Sequence, residues 1–299
     1  MKKYLKKSWY KGKYRNLSIE KYPWVYRPGS SPYFSGDTVR KYAHFIFDET
    51  QSFKPSRVKK NNVIFVKTDL LDIFFTYYHK KINSEYILVS HNSDSAVTNS
   101  ETKYLDDKII HWFAMKLDFL SNEKISPIPS GLENKRFLTN GKIKNFKLVE
   151  KENRLGSEKY NNKILCSFNV HTNFNERKSL IEKVENNSLY DIRKFTSNYE
   201  YLTELSKYKF ILCPEGNNYE SHRIWESLIF NCTPVVRSNN VNKNFFNLGV
   251  PLLIIDDWSN LDDLTFEDLV NLNQINENKE YRKFSTWMFW KDLIESKKL

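Results

Sequence analysis

The chain is poor in the residues that announce specialised architectures. Three cysteines in 299 residues exclude a disulfide framework. Cys166, Cys213 and Cys232 each sit in an apolar segment without paired metal-ligand spacing, so buried reduced thiols are expected rather than a zinc site or a catalytic thiolate. Eight glycines exclude collagen-like and Gly-rich low-complexity sequence. No stretch approaches the ~20 apolar residues of a membrane-spanning helix. No apolar run follows the basic N-terminus, so a secretory signal is not expected and a cytoplasmic protein is. What is present is a composition 40% hydrophobic and 15% aromatic, enough for a sizeable core and incompatible with a mainly disordered chain. The length fits two domains.

The net charge of +11 favours anionic partners. Part of it is local: Lys2, Lys3, Lys6, Lys7, Lys11, Lys13 and Arg15 are interleaved with Tyr4, Trp9, Tyr10 and Tyr14, with no acid among them. Such an arm suits a peripheral membrane surface or a polyanion, or else is a solvated terminus. No zinc-finger spacing or RNA-recognition signature accompanies it, so no specific nucleic acid is expected.

Short β-forming runs alternate with helical or loop segments: Tyr42–Phe47, Val63–Lys67, Tyr86–Ser90, Ile109–Ala114 and Ile125–Ile128, with a helix expected over Asp69–Ile82. A polar, charged stretch over Asn134–Tyr160 reads as a boundary. The alternation resumes with Ile164–Phe168, Phe210–Cys213, Pro234–Arg237 and Leu252–Ile255, and ends in a Trp-rich helix over Tyr281–Ser296. This predicts an α/β fold of two Rossmann-like domains facing across a cleft, residues 1–150 and 151–299.

Phe210–Val236 (FILCPEGNNYESHRIWESLIFNCTPVV) carries the chemistry. A buried strand ends at Cys213 and a polar turn leads into a helix near Ser221, the place where open α/β sheets bind ligands. Free N–H groups and the helix dipole there suit a phosphate, and Gly216 permits a close approach or a left-handed backbone. Arg223 and Glu226 share a face three residues apart, with His222 four before Glu226. An Arg in the first turn opposes the dipole unless an anion lies between them. A carboxylate one turn deeper suits vicinal hydroxyls. The spacing therefore describes either a nucleoside-diphosphate clamp or an intrahelical Arg–Glu surface pair.

The stretch resembles the nucleotide-sugar-binding segment of exostosin-like glycosyltransferases: strand, Cys-Pro-x-Gly-Asn, His-Arg, an aromatic, Glu, then a small-Pro-Val-Val strand. Weaker likeness extends to Cys166–Leu180 and, in the first half, to Ser35–Arg40, Ser90–Asp94 and Pro127–Asn134. The resemblance implies a GT-B architecture, with donor in the second domain, acceptor in the first, and a last helix crossing back to the first. It implies a hexosyl- or pentosyltransferase with no cofactor or obligatory metal, moving a sugar from a nucleotide donor, UDP-linked by preference, to a glycan hydroxyl. On it, Arg223 neutralises the leaving diphosphate and Glu226 holds donor hydroxyls. Arg177 is a second phosphate contact, the Gly216–Asn217 turn approaches the nucleotide, and Thr172, Asn173, Glu220 and His222 complete the donor side. Glu215, after the Pro, and Asn231-Cys232, before the last strand, depart from the commoner family pattern.

If the reaction inverts configuration, a base is needed. The first-domain candidates are Asp94, His91 and Asp37, all in turns near predicted strands, with Asp94 the first choice; each is equally a turn-capping residue. The adjacent pairs Asp106-Asp107 and Asp256-Asp257 diverge in extended backbone and are not read as metal ligands. Two alternatives stand beside this reading: a fucosyltransferase-like enzyme using a GDP-sugar, and a non-enzymatic polyanion or nucleic-acid binder acting through the N-terminal arm.

Overall fold

The computed structural model describes residues 27–153, 161–262 and 264–299; the basic aromatic arm lies outside them. The first lobe begins with helix α1 (Gly36–Tyr42), followed by strands β1 (Phe45–Phe47) and β2 (Asn62–Lys67), helix α2 (Leu71–Tyr77), and strands β3 (Tyr86–His91), β4 (Ile109–Met115) and β5 (Ile125–Ile128). Helix α3 (Ile143–Asn153) leads to the second lobe. Its elements are β6 (Asn161–Cys166), α4 (Phe174–Val184), β7 (Tyr190–Ile192), α5 (Asn198–Leu205), β8 (Tyr208–Leu212), α6 (His222–Ile229), β9 (Thr233–Arg237), α7 (Asn240–Asn247), β10 (Leu253–Ile255), α8 (Phe266–Leu272) and α9 (Trp287–Glu295).

Among the described residues these strands form two five-stranded sheets, ordered β1-β2-β3-β4-β5 and β10-β9-β8-β6-β7. Every pairing is parallel. The central strands are buried on both faces and so read as continuous apolar runs. The two-sheet α/β fold expected from the alternation is the fold found. No helix among the described residues is long and apolar enough to cross a membrane. The three cysteines are buried and none is in a disulfide.

Several elements differ from expectation. The segment before Phe45 is helical, not extended: Ser35 caps α1 by accepting from the Thr38 N–H, and the strand is only Phe45–Phe47. The Asp69–Ile82 helix is broken into two 3-10 turns around α2. The break holds His79 between the Tyr86 hydroxyl and Asp106, each 2.8 Å away. The polar Asn134–Tyr160 stretch contains α3, which buries Ile143, Phe146 and Val149. The Trp-rich C-terminal segment is a 3-10 turn followed by α9.

The outer faces of the two sheets have separate cores. Between them runs a third, shared by both lobes, in which Trp225 meets Phe245 and Trp290 edge-on at 4.9 and 6.1 Å. Trp290 in turn lies 6.0 Å from Phe34 of the first lobe. Helix α9 crosses to that lobe: the Trp287 N–H donates to the Pro32 carbonyl at 2.8 Å, and its ring packs on Tyr42 at 5.1 Å. A polar seam flanks the aromatics. Asn244 donates to the Leu117 and Phe119 carbonyls at 3.2 and 2.7 Å and accepts from the Ser121 N–H at 2.8 Å.

Candidate functional site

The carboxyl ends of both sheets open on one cleft of about 830 Å³. Asp94, Lys116, Ser130 and Glu133 contribute from the first lobe, and residues of the turn and helix after β8 from the second. The second-lobe wall is built locally. β8 is wholly apolar at its end, so it must bury, and the polar turn that follows is forced out at the carboxyl end of the sheet. Ser221 then stops the turn and starts α6, its hydroxyl accepting from the Arg223 N–H at 3.3 Å. Trp225, Leu228 and Ile229 face the shared core, which leaves His222, Arg223 and Glu226 on the cleft.

Arg223 does not close an ion pair with Glu226. Its Nε donates to the carbonyl of Ser167, at the end of β6, and its terminal nitrogens have no partner among the described residues. Glu226 is 4% exposed. Burial pushes its carboxyl pKa up, while the charges of Arg223 and His222 pull it back. This is a guanidinium braced from behind, with its fork free and a buried carboxyl one turn deeper.

Arg177 also lines the cleft, with its guanidinium engaged by the backbone. Its guanidinium donates to the carbonyls of Glu215 and Asn169, both at 2.8 Å, and of Pro214 at 3.4 Å. It is 2% exposed, and burial followed by the like charge of Arg223 lowers its pKa to about 10. It holds the turn after β8 in shape from below. Gly216 is not left-handed; a Cβ there would stand 3.2 Å from the Glu220 carbonyl, so the turn needs its smallness. Gly131, next to the cleft-lining Ser130, is left-handed at φ +65, and a Cβ there would strike Phe34 at 2.6 Å. Glu215, the departure from the family pattern, pairs with Arg237 and Asn239 at 3.1 Å.

Glu220 and His222 carry the second-lobe turn across to the first lobe, beside the bonds from Asn217 and Asn218 to Asp94. One carboxylate oxygen of Glu220 accepts from the Ser130 N–H at 2.8 Å and from the Trp225 indole, while the other is buried without a partner. His222 donates from Nδ1 to the Gly131 carbonyl at 2.6 Å. Thr172, Gly216 and Asn217 line the cleft as well. Asn173 does not; it faces a smaller adjoining hollow and donates to Glu176 at 3.1 Å.

Of the three base candidates, one reaches the cleft. Asp94 does, but one oxygen pairs with Lys116 at 3.1 Å and the other accepts from Asn217 at 3.3 Å, so it is a contact between lobes. Asp37 is fully buried and gripped by Arg136 at 2.8 and 3.0 Å. Burial pushes its pKa up and Arg136 chiefly opposes this. His91 is buried too. Its Nε2 donates to the Pro129 carbonyl at 2.8 Å and its Nδ1 accepts from the Asn92 N–H at 2.7 Å. Burial lowers its pKa to about 4. Both hold first-lobe loops in place because their polar atoms are spent on internal partners.

Sequence reasoning missed Ser167, Tyr201, Phe195 and Lys116, all on the cleft. Ser167 and Lys116 immediately follow β6 and β4, so the strand-end rule was the available signal. No cluster of three or more His, Cys, Asp or Glu arranged to hold a metal ion occurs among the described residues.

Residues 157–294 match the family model described as the RXYLT1 C-terminal domain. That span includes the whole second sheet and α6. No curated protein matches the chain. Among solved structures, a UDP-forming α,α-trehalose-phosphate synthase from Burkholderia xenovorans is similar over 82% of this chain and 74% of its own, at 8% identity and a TM-score of 0.45. A UDP-GlcNAc 2-epimerase from Methanocaldococcus jannaschii, in complex with UDP-GlcNAc and UDP, is similar over 73% and 70%, at 14% identity and a TM-score of 0.31.

Proposed function

We propose that this chain, whose residues 157–294 match the RXYLT1 C-terminal domain model, moves a hexose or pentose from a nucleoside-diphosphate donor, UDP-linked in the first instance, to a glycan hydroxyl. The observation that carries the reading is the braced Arg223. Its fork stands at the N-terminus of α6, with no protein partner for its terminal nitrogens among the described residues. Two positive elements, a guanidinium and a helix N-terminus, converge where a diphosphate gathers charge as it leaves. Glu226, deeper on the same face, accepts from donor hydroxyls, and its burial makes that contact selective against a group that cannot donate. In this reading Arg177 acts indirectly, keeping the Gly216–Asn217 turn at the height the nucleotide needs. Charge neutralisation rests on side chains and the helix, so transfer is expected to persist in EDTA.

The acceptor enters from the first-lobe side, between Asp94 and Lys116 on one hand and the 138–142 segment on the other. The Glu220–Ser130 and His222–Gly131 bonds fix the two walls relative to each other, so donor and acceptor meet in a geometry set before either binds. The test is thermal stabilisation by UDP and by GDP. A nucleotide at 100 times its Kd adds about 2.7 kcal/mol of stability. UDP is expected to stabilise and GDP to do so less; reversal of that order points to a GDP-sugar enzyme, and indifference to both ends the reading.

A further inference from the structure

The cleft supplies one further group for the transfer: we propose that His222 is its general base, a role that rests on the nucleotide-sugar reading above. The Gly131 carbonyl can only accept a hydrogen bond, so the 2.6 Å contact fixes the proton of neutral His222 on Nδ1. Nε2 is then a lone-pair acceptor. It has no partner among the described residues, and the ring is exposed in the cleft lining. An imidazole oriented by a carbonyl through one nitrogen, with the other bare in a substrate cleft, is the arrangement a proton acceptor requires.

The competing acceptors in the cleft are paired or buried. Asp94 is held by Lys116 and Asn217. Glu133 caps the 140–141 turn, accepting from the Asn140 and Gly141 N–H groups at 2.8 and 3.3 Å. Glu220 binds Ser130 and Trp225 through one oxygen, and its other oxygen is buried. Glu226 is buried beside Arg223 and assigned to donor hydroxyls. His222 also stands where the two substrates meet, on the donor helix and bonded to the acceptor lobe.

The step balances without a co-reactant. Nε2 takes the proton of the acceptor hydroxyl as its oxygen bonds to the anomeric carbon. The bond from that carbon to the diphosphate oxygen breaks, and its electron pair stays on the diphosphate beside Arg223 and the start of α6. The imidazolium then releases its proton to solvent. One displacement inverts the anomeric configuration. The titratable and charged groups around the ring are Arg223 and Glu226 on its own helix, Glu220 in the preceding turn, and His91 and Glu133 of the first lobe.

The experiment uses the full chain and two variants. His222→Asn keeps an N–H for the Gly131 carbonyl but removes the base; His222→Gln is the second variant should the first fail to fold. UDP release from UDP-xylose and UDP-glucose, with a simple alkyl glycoside as acceptor, is followed against pH, and UDP binding is followed by thermal shift. The expected result is unchanged UDP stabilisation and turnover lower by about 10²–10⁴-fold. Added imidazole should restore part of the rate. Turnover within about threefold of wild type overturns the assignment, as does joint loss of UDP stabilisation and turnover, which would make His222 a donor contact. Wild-type protein indifferent to both UDP and GDP is a different result, and removes the glycosyltransferase reading itself.

Discussion

Replacing Arg223 with alanine separates a functional from a structural role, because the residue touches both. Its Nε is spent on the Ser167 carbonyl, which leaves the terminal nitrogens for a diphosphate. Hydrogen bonds to charged groups contribute about 1.5–3 kcal/mol each. Two such bonds, not fully additive, give a loss of about 3–4 kcal/mol in transition-state stabilisation, or roughly 150- to 1,000-fold in kcat/KM. The second effect falls on Glu226. Burial already raises its carboxyl pKa, and Arg223 is the chief charge opposing that rise. An opposite charge nearby typically lowers a carboxyl pKa by about 1–3 units, so its removal costs up to about 1.4–4 kcal/mol of stability where the carboxylate stays ionised. The native state then holds its proton more tightly than the unfolded chain, so the destabilisation is greater at pH 8 than at pH 5. Adding Glu226→Gln in the Arg223→Ala background removes the stranded charge and should restore stability without restoring turnover. UDP thermal shift with UDP release reads the first effect, and urea denaturation at the two pH values reads the second. Arg223→Ala with UDP stabilisation intact refutes the clamp. A double variant no more stable than Arg223→Ala refutes the stranded-carboxyl argument.

Two further predictions concern the framework. His91 is held neutral with a pKa lowered to about 4 by burial, against about 6.5 in the unfolded chain. Between those values the unfolded state binds the extra proton, so stability is present above about pH 6.5 and lost as pH falls towards 4, by on the order of 3 kcal/mol. His91→Gln, which keeps a donor for the Pro129 carbonyl, should flatten that acid limb in urea denaturation; a limb as steep as wild type would show that the imidazole is not the titrating group. Asn244→Ala strips partners from two carbonyls and one N–H at the seam, an expected loss of about 2–4 kcal/mol. A denaturation midpoint that hardly moves would mean that water replaces the amide there.

The parts of this fold that were legible in the sequence are those written in adjacent residues. The central strands announce themselves as unbroken apolar runs because parallel sheets bury both faces. The turn and helix after β8 are legible for the same reason: Cys213 to Glu226 is one contiguous stretch whose polar and apolar positions sort by helical spacing. What was not legible depends on partners far along the chain. Asp37 looks like an open turn acid until Arg136 arrives from 99 positions away, and Arg177 looks like a free cation until carbonyls up to 38 positions on claim it. His222 meets Gly131 across 91 positions. Helix α3 was obscured by composition: its mean is polar, but Ile143, Phe146 and Val149 recur every three residues and bury one stripe.

The aromatic wall shared by the lobes has a consequence for how substrates come and go. Trp225 and Phe245 of the second lobe, Phe34 of the first and Trp290 of the returning helix interlock edge to face. Parting the halves would therefore expose indole and phenyl surface to water. A hinge that swings the halves apart would have to break this packing on every turnover, which makes it a poor gate. Entry and exit then belong to the rim. There Leu138 stands 74% exposed in a left-handed turn beside the opening, and small loop movements there can admit a sugar without disturbing the wall behind it.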